Sequence, residues 1–221
     1  MALRGAGWFV SVQPDDTNHF LDVAGRSYEQ FLASRPGPLR TTLKRKAGKV
    51  YCTVHRAFSD DIWACYQAIY AASWKPAEGS PAFLERFARA EGAAGRLRLG
   101  IAEIAGQPVA AQLWTVEAGT AYIHKLAHRD DAKAHSPGTA LSAALFAEVI
   151  DRDRVGAIDF GTGDDPYKRD WMDDIRPRYR IDALWPRSPR VWPSLVKAVL
   201  RQGFHAARGP ALPPALLPER R

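Results

Sequence analysis

Between Leu97 and Phe160 the chain offers three β-rich runs with two tight turns, then a helix, then a fourth β-rich run. Leu97–Ile104, Val109–Val116 and Thr120–Ala127 are joined through Ala105-Gly106-Gln107 and Glu117-Ala118-Gly119, and a glycine at each turn supplies the positive φ that short hairpins demand. An antiparallel meander follows from that spacing. Ser136-Pro137-Gly138 then opens a helix, with Leu141, Leu145, Val149 and Ile150 on its inner face, and Gly156 leads into the strand Ala157–Phe160. Strand, helix, strand at this spacing is a parallel crossover. The fold class is therefore α+β, a mixed sheet in which a meander hands over to a parallel pair.

Upstream, Tyr28, Phe31 and Leu32 fit a short helix from Ser27 to Ala33, and Leu39 to Ala47 reads as a second helix after Pro36-Gly37-Pro38. Lys49–Val54 is β-rich. Ser59 or Asp60 caps a helix whose apolar positions are Ile62, Tyr66, Ile69 and Tyr70. Ser80-Pro81 starts another, with Phe83, Leu84 and Phe87 as its buried stripe and Gly92 as its stop. Downstream come a short helix at Pro166–Asp173, a strand Tyr179–Trp185 and an amphipathic helix Val191–Arg201. The expected organisation is an N-terminal extension over 1–25, holding one short strand at Trp8-Phe9-Val10, one domain over 26–202, and a disordered Pro/Ala-rich tail over 203–221.

Composition narrows the class. With 46% hydrophobic and 25% charged residues the chain reads as an ordinary globular protein. No run approaches the ~18 apolar residues of a membrane span, and the first residues lack the build of a signal peptide, so a cytoplasmic location is expected. The net charge of +7 is concentrated. Arg35, Arg40, Lys44, Arg45, Lys46 and Lys49 fall in one segment without an acid, which suits an anionic partner such as nucleotide phosphates or RNA, or else a solvated helix face. The six histidines and two cysteines make no metal motif, and no P-loop or Gly-x-Ser-x-Gly elbow is present.

The densest polar stretch runs from Asp159 to Trp171: Asp-Phe-Gly-Thr-Gly-Asp-Asp-Pro-Tyr-Lys-Arg-Asp-Trp. The element order resembles the GNAT acyltransferase fold. The motif Asp159-Phe160-Gly161-x-Gly163-Asp164-x-x-Tyr167-Lys168-x-x-Trp171 resembles the signature of CelD/BcsL-type acetyltransferases, and is more distantly similar to the Fem peptidyltransferases, which use aminoacyl-tRNA. Ser136-Pro137-Gly138 and the segment Tyr28…Arg35-Pro36…Leu39-Arg40 match that group too. The resemblance spans about residues 26–200, and its members commonly carry a further N-terminal half, of which this chain holds little. It implies acetyl-CoA or another acyl-CoA, held where Thr120–Ala127 and Ala157–Phe160 part, and an amine acceptor on a sugar, amino acid or peptide. An aminoacyl-tRNA-dependent transferase and a non-catalytic GNAT-like binding module are the alternatives, the former drawing on the Arg35–Lys49 block.

Acyl transfer needs a hold on the donor, stabilisation of the carbonyl oxygen, and removal of a proton from the amine. Ser136, Gly138 and Thr139 at a helix N-terminus suit phosphates, with His135 and Arg129 replacing the charge of the usual Arg/Gln-x-x-Gly-x-Gly/Ala loop, which is missing here. Strand alternation puts His124 and Lys125 on opposite faces; His124 suits a general base, and Lys125 occupies a position that is often lysine in similar sequences. Asp159 is placed to orient a neighbour or accept a proton. Gly161 and Gly163 let backbone approach the thioester. The resemblance implies that Lys168 stabilises the transferred carbonyl and that Tyr167 protonates the leaving thiolate.

Overall fold

A computed structural model describes residues 2–206, with side chains to residue 200. In chain order the elements are α1 (Ala2–Gly5), β1 (Phe9–Asp22), α2 (Tyr28–Ala33), α3 (Gly37–Lys46), β2 (Tyr51–His55), α4 (Asp60–Ala71), α5 (Pro81–Ala93), β3 (Leu97–Ile104), β4 (Gln107–Glu117), β5 (Thr120–His128), α6 (Pro137–Ala147), β6 (Ala157–Thr162), α7 (Pro166–Arg169), β7 (Asp174–Leu184) and α8 (Trp192–Ala206). The chain divides into a larger compact unit, Asp16–Pro177, and a smaller one that draws on residues 2–15 and 178–206. The tail expected from Gly203 begins inside α8, and the rest of it lies outside the described residues.

The sheet runs β2-β3-β4-β5-β6-β1-β7. Pairs β2–β3, β3–β4, β4–β5 and β6–β1 are antiparallel, and β5–β6 is parallel, as the meander and crossover require. Ala105-Gly106 and Ala118-Gly119 each have two successive positive φ values, the geometry of two-residue hairpin turns. One strand went unforeseen in full. The expected three-residue strand at Trp8-Phe9-Val10 is instead β1, fourteen residues long, and its second half pairs with β6 beside the site. Pro14 and the polar run Asp15-Asp16-Thr17-Asn18 hide it, because neither carries the apolar alternation of a half-buried strand.

Helices cover both faces of β3 and β4, which are buried along most of their length. On one face α4 and α5 bring Trp63, Tyr66, Ile69, Leu84 and Ala88 against Leu97, Leu99, Ile101 and Leu113. On the other, α2, α3 and α6 enclose an aromatic cluster in which Phe146 stacks on Phe31 at 5.1 Å and on Trp171 at 4.7 Å, and meets Trp114 edge-on at 5.2 Å. Gly100 lets α6 lie close, since a Cβ there would stand 2.9 Å from Leu141 and Leu145. Phe83 departs from the expected stripe of α5 and is exposed; Ala88 takes its place in the core. Arg35 leaves the basic segment altogether. It is buried over the Phe31 ring and ion-paired with Asp173, whose carboxyl is held below its ordinary range by the Arg35 and Arg26 guanidiniums against an opposing cost of burial.

Candidate functional site

The parallel pair is short. Only Thr120, Ala121 and Tyr122 pair with Ala157, Ile158 and Asp159, yet β5 continues to His128 and β6 to Thr162. Beyond the last pair the strands part, and a cavity of about 560 Å³ opens, walled by residues 123–126 of β5, residues 160–162 of β6, and Tyr167 and Lys168. A second cavity of about 240 Å³ is lined by Gly138 and Thr139 at the start of α6, and shares Leu126 and Tyr167 with the first.

A bulge overturns the expected alternation along β5. Leu113 pairs with Lys125 and Trp114 with Ile123, so His124 is an extra residue. Both His124 and Lys125 then face the α4–α5 side. His124 Nε2 lies 2.8 Å from Thr115 Oγ1 and its ring meets Phe87 edge-on, while Lys125 Nζ pairs with Glu78 at 2.7 Å in the loop between α4 and α5. The insertion also lengthens one strand locally, which turns β5 away from β6. Burial pushes the His124 imidazole below its ordinary value of 6.5, against smaller opposing effects of Glu91 and Asp159, so the ring is neutral at pH 7. Because the unfolded chain then binds the extra proton more readily, His124 makes stability fall as pH drops below 6.5. An NMR titration should place its ring proton transition below 6.5, and His124→Gln should flatten the acid limb of the melting curve; a transition at or above 6.5 contradicts the assignment.

Lys168 is not an exposed lysine on a short helix. Its side chain is 5% exposed and the ammonium donates to the carbonyls of Thr162 and Gly163, which close the end of β6. Asp165 stands 3.9 Å away and the Phe160 ring 5.5 Å away. Desolvation lowers its pKa from 10.5, with Asp165 opposing. Gly163 has φ +95°, a backbone conformation that favours glycine, and it closes the turn whose carbonyl the ammonium reaches. Tyr167 is partly exposed, edge-on to Phe160, and burial pushes its phenol up to about 12.

The Asp159 carboxylate is committed at both oxygens. One carboxylate oxygen accepts from the Gly161 N–H at 2.7 Å and the other from Asn18 Nδ2 at 2.9 Å, which holds Gly161 at φ +70° on the cavity wall. At the start of α6, Ser136 is in the left-handed region and its hydroxyl accepts from Lys46 Nζ at 3.1 Å. The charge expected from Arg129 is spent on Asp131, and His135 lines neither cavity. Lys46 of the basic segment supplies the cation there instead. The segment itself signalled a cation; its place against α6 depends on the packing of α3 and was out of reach of local pattern. Gln112 was also missed: a buried glutamine in an apolar strand, it donates to the Gly138 carbonyl at 3.0 Å and Ser142 Oγ at 2.8 Å, and accepts from Trp114 Nε1 at 2.9 Å. It ties the first turn of α6 to β4.

Among the described residues no group of side chains is arranged to hold a metal ion, and no helix is long and apolar enough to cross a membrane. No curated protein sequence matches the chain. Solved structures of similar fold include FemX, with a TM-score of 0.67 at 10% identity over 86% of this chain and 68% of that one. The C-terminal domain (DUF2156) of a putative lysylphosphatidylglycerol synthetase from Agrobacterium fabrum gives 0.59 at 14% identity, covering 90% and 68%. L-PGS from Bacillus licheniformis gives 0.56 at 15% identity, again covering 90% and 68%. The family model described as an acetyltransferase (GNAT) domain matches residues 32–169. That match takes in the meander, the parting strands and the Tyr167-Lys168 pair, and the chain belongs to this family.

Proposed function

We propose that the chain is an N-acyltransferase that moves an acyl group, acetyl in the simplest case, from a CoA thioester to an amine of a sugar, amino acid or peptide. The observation that carries this reading is the parting of β5 and β6 over a cavity walled by His124, Lys125, Tyr167 and Lys168. A thioester arm entering beside Gly138 and Thr139 has Lys46 and the free N–H groups of α6 for its diphosphate. Its carbonyl then falls between the strands. As the amine nitrogen bonds to the carbonyl carbon, the oxygen gains charge, and one Lys168 N–H not committed to a carbonyl is available to it. The neutral His124 ring takes the nitrogen's proton. The C–S bond breaks, and Tyr167, kept protonated by its raised pKa, donates to the departing sulfur. The Asp159–Trp171 motif supports placement with the CelD/BcsL-type group, and a cytosolic setting fits a CoA donor.

Titration calorimetry with CoA, acetyl-CoA and longer acyl-CoAs tests this. Micromolar binding is expected, weakened about tenfold by Lys46→Ala, a loss of ~1.4 kcal/mol consistent with one charge-assisted contact. Absence of binding by every thioester would defeat the proposal. A second reading, an aminoacyl-tRNA-dependent transferase, is favoured by one observation: exposed Arg40, Lys44 and Arg45 lie on the helix that delivers Lys46 to α6. Co-purifying tRNA whose affinity drops steeply with salt, together with indifference to CoA, would select it.

A further inference from the structure

A third cavity, of about 380 Å³, lies between α4 and the start of α5. The three spaces join in series. The cavity beside Gly138 and Thr139 meets the gap between β5 and β6 at Leu126 and Tyr167, and the gap meets the third cavity at Tyr70 and Lys75. Their walls differ in chemistry. The gap presents Lys75, His124, Lys125, Asp165 and Lys168. The third cavity presents Trp63, Tyr66, Tyr70 and Leu84, with the small residues Ala71 and Ala77. The Trp63 indole nitrogen and the Tyr66 hydroxyl oxygen have less than 1 Å² accessible each, so both rings offer this space only carbon. Glu78, the acid in that wall, is already paired with Lys125 Nζ at 2.7 Å.

We propose that the third cavity holds the hydrocarbon chain of the acyl donor, so that the thioester used is a medium-chain acyl-CoA rather than acetyl-CoA. This rests on the reading of the gap as the place of acyl transfer, and names its donor. With the thioester carbonyl between the strands and the CoA arm running back past Leu126, the third cavity continues the donor's path beyond the carbonyl. A sugar, amino acid or peptide acceptor is polar around its amine and would lose water against carbon walls without recovering hydrogen bonds. The gap, with its lysines, His124 and Asp165, suits that acceptor better. A hydrocarbon chain has the opposite preference and gains by every methylene it removes from water. At the junction, the Lys75 ammonium lies 5.3 Å over the exposed Trp74 ring, which leaves its methylene stem to flank the chain. An apolar cavity of ~150 Å³ takes up benzene, and on that scale this one has room for roughly eight to twelve carbons.

A chain-length series decides it, measured by titration calorimetry on the full chain below the concentrations at which acyl-CoAs form micelles. The series runs from acetyl-CoA through butanoyl-, hexanoyl-, octanoyl- and decanoyl-CoA to tetradecanoyl-CoA. Affinity should rise about two- to fourfold per added methylene and level off once the cavity is full. Ala71→Phe and Ala77→Phe each put a ring into the space from an exposed position. Each should weaken octanoyl-CoA about tenfold, the loss of two or three buried methylenes, and leave acetyl-CoA unchanged. Equal affinity from acetyl- to decanoyl-CoA overturns the proposal, and so does a length dependence that survives both variants. Linear amines from butylamine to decylamine provide the counter-test. If affinity grows along that series instead and falls in the same variants, the cavity belongs to the acceptor and the proposal is wrong. Should one variant fail to fold, the other carries the decision. A flat series in which acetyl-CoA still binds leaves the transferase reading standing without this pocket; binding of no thioester at any length removes both.

Discussion

Lys168→Met should lower kcat/KM with an acyl-CoA about 10²–10³-fold, the usual size for removing one donor to a developing oxyanion. The same change should destabilise the fold. Thr162 and Gly163 present their carbonyls to the ammonium, and a methionine leaves both without that donor, at about 1–3 kcal/mol for each carbonyl that finds no water. Two pH signatures separate electrostatics from packing. Burial lowers the Lys168 pKa from 10.5, and the oxyanion role needs the ammonium, so the rate should fall as pH rises through a value below 10.5. The stability effect has the opposite sign. With the folded pKa depressed, the unfolded chain binds more protons in that window, so stability should rise with pH up to 10.5. The methionine variant should show neither limb. Stopped-flow assays and chemical denaturation across pH 7–11 read both; an unchanged rate in Lys168→Met would remove Lys168 from the chemistry.

Position along the chain explains what could be foreseen. Each element of the meander is defined by neighbours within a dozen residues, and the Ala-Gly turns carry their conformation in the two residues concerned. The crossover followed from the same local signals. What escaped depends on partners far away. β1 pairs with β6 across some 140 residues and is written in polar letters. The bulge at His124 inserts a residue into a strand, and the plain period of two without that insertion puts His124 and Lys125 on opposite faces. Arg35 and Lys46 belong to one run of positive charge, yet one is buried under Asp173 and the other reaches Ser136. Nothing in a run of charge distinguishes a residue that will be buried from one that will meet a ligand.

Trp171→Ala should be the most damaging substitution in the Asp159–Trp171 motif that touches none of the cavity's polar groups. The indole is 4% exposed and lies stacked on Phe146 at 4.7 Å, within 6.5 Å of Phe31. Truncating so large a buried ring costs about 3–5 kcal/mol, because the stacked neighbours cannot collapse into the space. For a chain of this size that lowers the melting temperature by roughly 6–20 °C. The Trp171 backbone N–H donates to the Lys168 carbonyl at 3.1 Å, which couples the buried ring to the end of α7, a single turn. Unmoored, Tyr167 and Lys168 lose their positions at the mouth of the gap, and a misplacement of ~1 Å can cost 10²-fold in rate. Trp171→Phe keeps a stacked ring and should recover most of the stability and rate. The comparison discriminates, since a purely structural role predicts that Trp171→Ala assayed well below its melting temperature regains full kcat. If it does, α7 is positioned by the Lys168 hydrogen bonds to β6 alone. If kcat stays low while acyl-CoA binding is retained, the aromatic stack of α2, α6 and Trp171 is what sets the reacting groups in place.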